Sequence, residues 1–117
     1  MQNQAVLTLE LENDLRKAID NQEFCLFYQP IISLSTGLLT GFEALLRWQH
    51  PTRGLIYSHT FISRAEETGL INHLGNWVLN EACRQLQVWL EDYPELSCLD
   101  LHINISPLQF KQINFIE

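Results

Sequence analysis

Leu9, Leu11, Leu15, Ala18 and Ile19 recur at roughly helical spacing between Thr8 and about Gln22, which predicts an amphipathic helix of about four turns. Asp14 with Lys17, and Arg16 with Asp20, stand three or four residues apart and suit modest charge pairing along that helix. The pattern then changes. "FCLFYQPIISL", starting at Phe24, is dense in aromatic and β-branched residues and predicts a strand, in which Pro30 marks a break or a sheet edge. "STG" at 35–37 predicts a turn and "LLTGFEALLRW" a second strand, so residues 24–48 form a hairpin-like pair.

"QHPTRGLIYSHT", punctuated by Pro51 and Gly54, reads as loop. Thr60 is positioned to cap a short helix, "FISRAEET", which Gly69 ends. A longer helix is expected from about Asn72 to Asp92, with Leu74, Trp77, Val78, Ala82, Leu86 and Trp89 along one face, and Pro94 stops it. "CLDLHINIS" alternates cleanly and predicts a third strand. Leu99, Leu101, Ile103 and Ile105 lie on one side, Asp100, His102, Asn104 and Ser106 on the other. Pro107 suits the first turn of another helix, ten residues before the last residue. The order helix, strand, strand, helix, helix, strand, helix start is that of an α/β protein whose later units are missing.

A length of 117 residues fits one small domain, and 46% apolar with 18% charged residues is a globular composition. The net charge of −7 argues against a general nucleic-acid or anionic-membrane surface, which needs a basic field. A single nucleotide ligand stays open, because a few placed cations serve it. Cys25, Cys83 and Cys98 are unclustered, so buried thiols in a reducing compartment are expected. No apolar run approaches a membrane span, and the N-terminal residues lack a basic segment followed by an apolar one. The expectation is a cytoplasmic, soluble protein.

Candidate chemistry sits on the strands. Glu43, Leu45 and Arg47 share one face of the second strand, and Phe42, Ala44 and Leu46 the other. At about 3.3 Å per residue, Glu43 and Arg47 are about 13 Å apart, too far for a salt bridge along one strand. Two readings remain: a half-exposed strand turning charges to water, or two groups aimed at a charged ligand. The polar side of the third strand carries the same ambiguity. In a barrel with helices outside, polar residues near a strand's C-terminal end, here Asn104 and Ser106, point at the site. His50, His59, His73 and His102 show no H-x-x-H or H-E-x-x-H spacing, so structural or surface roles are expected of them. There is no Gly-rich phosphate loop, and Trp48, Trp77 and Trp89 read as core packing.

In order along the chain, "FYQPIISLSTGLLTGFEALLRWQHPTRGLI", "FISRAEETGLINHLGNWVLNEACRQL" and "LHINISPLQF" resemble the EAL domain, the cyclic di-GMP phosphodiesterase module of bacterial signalling proteins. The likeness runs from about Phe24 to Phe110, and residues 1–23 resemble the helix that links such domains to a preceding GGDEF or sensory domain. The resemblance implies the N-terminal part of a modified TIM (β/α)8 barrel whose first strand runs antiparallel to its neighbour. It implies hydrolysis of cyclic di-GMP to linear pGpG with Mg²⁺ or Mn²⁺. Glu43 and Asn104 are then metal ligands, Arg47 contacts a ligand phosphate, and Gln29 lies in the ligand pocket. Leu45, between the two charges, is grouped with the ligand-binding residues.

A full (β/α)8 barrel needs about 250 residues, and 117 are present. The family's acidic strand end after N-x-S, D-D-F-G-T-G segment, catalytic lysine and closing glutamate and glutamine have no counterpart here. The expectation is a phosphodiesterase parent, with these residues inactive alone; the alternative is a non-catalytic EAL module that binds the nucleotide or a partner protein for regulation. Ser58 and Ser63 stand where the family usually has prolines, which bears on rigidity more than chemistry. Half a barrel leaves an open strand edge and an apolar face, so self-association is also expected.

Overall fold

The computed structural model describes residues 4–103, and side chains from residue 9 onward. The chain opens with α1 (Gln4–Asp20), whose Leu15 and Ala18 are fully buried while Leu9 is exposed. Gln22 ends it in the left-handed region at φ 57. Backbone bonds from Gln22 to Ile19 and from Glu23 to Ala18 close the last turn and aim the chain directly into the sheet. The expected pairs of Asp14 with Lys17 and Arg16 with Asp20 do not form; Asp14 turns instead to His50.

The strands β1 (Phe24–Ile32) and β2 (Leu39–His50) form an antiparallel hairpin, with Phe24 opposite Trp48 and Gln29 opposite Glu43. Pro30 lies within β1, which pairs on one side only among the described residues, so its missing N–H disrupts no ladder. β3 (Gly54–Tyr57) corrects the sequence reading of this stretch as loop: it pairs antiparallel with β2 from Arg47 to His50. Four residues are too few for a period to be read, and only the pairing with β2 makes a strand of them.

α2 (Ser58–Thr68) follows β3 without a gap. Its start is a second correction, since Tyr57, not Thr60, occupies the cap position and supplies no side-chain bond. Gly69, at φ 81, ends α2 and begins α3 (Leu70–Asp92), so the two helices share one left-handed residue. A short 3-10 turn, Pro94–Cys98, leads to β4 (Asp100–Ile103), which starts two residues later than "CLDLHINIS" implied.

β4 pairs parallel with β2 along Gly41–Ala44, so β3 and β4 occupy successive stretches of one edge of β2, with β1 on the other. At Gly41 the β4 backbone comes so near that an added Cβ would stand 2.3 Å from the carbonyl oxygen of Asp100. The core lies between the helices and one sheet face. Leu15, Ala18, Phe24, Leu46, Trp48, Phe61, Ala65, Ile71, Leu74 and Val78 form it. Trp77 packs on its margin, and Trp89 meets Tyr28 edge-on and Phe42 at a tilt, in line with a packing role for the tryptophans.

The cysteines depart from expectation. Cys83 and Cys98 are exposed and Cys25 is half-buried. Cys83 lies on the outer side of α3 and Cys98 in the turn after Pro94, neither of which faces the core. Among the described residues, no helix is long and apolar enough to cross a membrane.

Candidate functional site

Strand alternation sends Ala44, Leu46 and Trp48 of β2 into the core. Glu43, Leu45 and Arg47 therefore project from the opposite face, away from the core that the helices pack against. Register brings neighbours to them from three strands. Gln29 of β1 and His102 of β4 stand on either side of Glu43, giving a polar row across the sheet. Cys25 of β1 and Tyr57 of β3 flank Arg47, and Phe27 is opposite Leu45. The face thus has a carboxylate end and a guanidinium end joined by an apolar floor.

Arg47 is held tightly. Its Nη1 donates to the Leu46 carbonyl at 2.9 Å, and its guanidinium carbon lies 4.6 Å from the Tyr57 ring centroid and 5.7 Å from that of Phe27. Its Nε is buried without a hydrogen-bond partner, and no carboxylate pairs with Arg47 among the described residues. A buried donor left unmet costs about 1–3 kcal/mol, and a charged one is best met by an oxyanion. Burial pushes the Cys25 thiol up from its ordinary value of 9.0, with Arg47 beside it pulling the other way.

Glu43 is half-buried and makes no hydrogen bond or ion pair among the described residues. A free carboxylate is the donor a hard divalent cation takes. It is one ligand only: no group of three His, Cys, Asp or Glu able to hold a metal occurs among the described residues. Asn104 and Ser106 lie outside the described residues. Gln29, Glu43, Leu45 and Arg47 are brought to one face, as the two-residue period implies. Tyr57 and Phe27, the Arg47 neighbours, were not singled out from sequence. The aromatic placed between Ile56 and the following helix was the available signal for Tyr57.

A cavity of about 720 Å³ lies elsewhere, at the outer edge of β1 beside α1 and α3. Asp20 and Glu81 line it and no cation does, which suits an anionic ligand poorly. The open sheet face is the better candidate.

Residues 12–117 match the family described as the EAL domain. The chain belongs to the EAL-domain family. It is 42% identical over 109 residues to the bifunctional diguanylate cyclase/cyclic di-GMP phosphodiesterase MucR of Pseudomonas aeruginosa, covering 93% of this chain and 16% of that protein. It is 43% identical over 97 residues to the oxygen sensor protein DosP of Escherichia coli, covering 83% of this chain and 12% of that one. Against solved structures of EAL proteins, it superposes on the MucR phosphodiesterase in complex with cyclic di-GMP with a TM-score of 0.83 at 42% identity, over 92% of this chain and 42% of that one. The EAL enzyme Bd1971, bound to cAMP and cyclic di-GMP, gives 0.80 at 36% identity, over 98% and 32%. The chain thus spans about a sixth or less of these two full proteins. The α/β arrangement with its antiparallel β1–β2 pair and parallel β4 superposes on those neighbours over 92% and 98% of the chain.

Proposed function

We propose that this chain supplies part of the ligand site of a cyclic di-GMP phosphodiesterase of the EAL type, built as the first portion of a modified (β/α)8 barrel. The observation that carries this reading is Arg47: a guanidinium on the open sheet face, anchored at Nη1, with its buried Nε unmet. In this reading Arg47 grips a phosphate of cyclic di-GMP, Gln29 and Leu45 line the pocket, and Glu43 with Asn104 holds Mg²⁺ or Mn²⁺. The metal, when bound, activates water for attack on the phosphodiester. Glu43 contributes a carboxylate free of competing partners, and Arg47 orients the diester.

Residues 1–23 serve as the leading helix from a preceding GGDEF or sensory domain, and residues 24–117 as EAL domain, in a cytoplasmic protein. The 117 residues by themselves are proposed to be inactive, since one carboxylate and one amide bind a hard cation weakly. Incubating them, and separately the complete protein, with cyclic di-GMP and Mg²⁺ or Mn²⁺ tests this. Linear pGpG should form only with the complete protein. Turnover by the 117 residues would overturn the inactivity, and binding without turnover by the complete protein would favour a regulatory module. Taken alone, the residues should self-associate through the edge of β4 that is unpaired among the described residues and the face bearing Phe27, Leu55 and Tyr57, which are 45%, 41% and 49% exposed. A monomer in sedimentation at micromolar concentration would contradict that.

A further inference from the structure

Resting on that reading of Arg47, we infer that Tyr57, supported by Phe27, is a positioning residue that holds the guanidinium so that its free Nη2 side meets the ligand phosphate. Three features of the contact lead there. Nη1 is engaged by the Leu46 carbonyl at 2.9 Å, which takes one side of the group out of play. Nε–H and Nη2 lie together on the other side of the planar fork, the pair that grips an oxyanion bidentately. Nε is buried and unpartnered, whereas Nη2 is neither buried nor bonded among the described residues, so Nη2 is the donor an oxyanion reaches first.

What keeps a long, flexible side chain in that pose is aromatic. Tyr57 approaches from β3 and Phe27 from β1, the two strands on opposite edges of β2. Tyr57 is the nearer, at 4.6 Å, and its own ring is stacked on His59 at 6.2 Å with 10° between planes. Tyr57, the last residue of β3, thus contacts both the guanidinium and the imidazole through its ring at the junction of β3 and α2. The Tyr57 hydroxyl makes no hydrogen bond among the described residues, so the ring is the part that acts.

The test compares Tyr57→Phe and Tyr57→Leu in the complete protein, with two readouts. The first is affinity for cyclic di-GMP by calorimetry. The second is the Arg47 Nε–H resonance, which the rings should shift upfield, followed during titration with inorganic phosphate. Y57F should match the parent within twofold in both. Y57L should lose the upfield shift and bind both ligands more weakly by about 3- to 30-fold, the range of a partly desolvated cation–π contact. Its melting temperature should hold, because Tyr57 is 49% exposed. Y57L equal to the parent in both readouts overturns the inference, as do equal losses in Y57F and Y57L, which would make the hydroxyl responsible. Should the parent bind no cyclic di-GMP while phosphate still moves the Arg47 signal in a Tyr57-dependent way, the proposed ligand fails and the positioning role stands. A parent whose Arg47 signal responds to neither ligand overturns the inference.

Discussion

His50, at the end of β2, donates from Nε2 to the Asp14 carboxylate of α1 at 2.7 Å, while its Nδ1 accepts the backbone N–H groups of Thr52 and Arg53, each at 3.1 Å. The two backbone donors leave Nδ1 as the acceptor, which assigns the proton to Nε2. One buried ring thus fastens the leading helix to the strand that carries Glu43 and Arg47. His50→Ala strands two backbone donors and should lower stability by about 2–3 kcal/mol, against about 1 for Asp14→Ala, which leaves only the His50 Nε2–H without its acceptor. Urea denaturation gives both values, and a neutral His50→Ala would refute the assignment.

Gly41 leaves no room for a side chain where β4 crosses β2, since a Cβ would meet the Asp100 carbonyl oxygen at 2.3 Å. The obstacle is backbone, so it cannot swing aside. Gly41→Ala should destabilise by about 1–3 kcal/mol or more and loosen the parallel pairing. Amide exchange at Leu101 and Ile103 should accelerate while that of the β1–β2 hairpin holds.

The three thiols should separate by accessibility. Cys83 and Cys98 are exposed and Cys25 is half-buried, so alkylation of the first two should run well ahead of the third. Burial raises the Cys25 pKa, more than Arg47 lowers it. The neutral thiol is therefore favoured in the folded state: its contribution is complete below the unfolded value of 9.0 and is lost as pH rises from there through the folded pKa. Stability of the parent should fall more steeply above pH 9 than that of Cys25→Ala. Parallel pH profiles would contradict the shift.

Two substitutions on the open face should part binding from turnover in the complete protein. Arg47→Lys loses the planar fork and should weaken cyclic di-GMP binding by about 10- to 100-fold, the worth of a charge-assisted hydrogen bond. Glu43→Gln removes a metal-binding charge and should abolish hydrolysis while changing nucleotide affinity far less. Calorimetry beside a pGpG assay checks both, and an active Glu43→Gln would remove Glu43 from the metal site.

Much of this was legible along the chain. The 3.6-residue period located α1 and the face of α3 that buries Leu74, Val78 and Ala82. The two-residue period set Glu43, Leu45 and Arg47 on one side of β2. β3 escaped because four residues carry no readable period, and with it went Tyr57, whose role depends on standing opposite Arg47. Thr60 looked like a helix cap because it is a good capping residue, yet the helix begins at Ser58, where the strand ends. Cys83 and Cys98 were expected inside because the three cysteines are odd in number and unclustered; their positions on α3 and the turn after Pro94 face outward instead.

The sequence by itself determined which residues share a face, since alternation and helical pitch are local properties of the backbone, and its ordered motifs carried the EAL likeness. Only the tertiary structure decided which faces meet. The split edge of β2 shared by β3 and β4 and the ring over Arg47 bring together residues that no local period pairs.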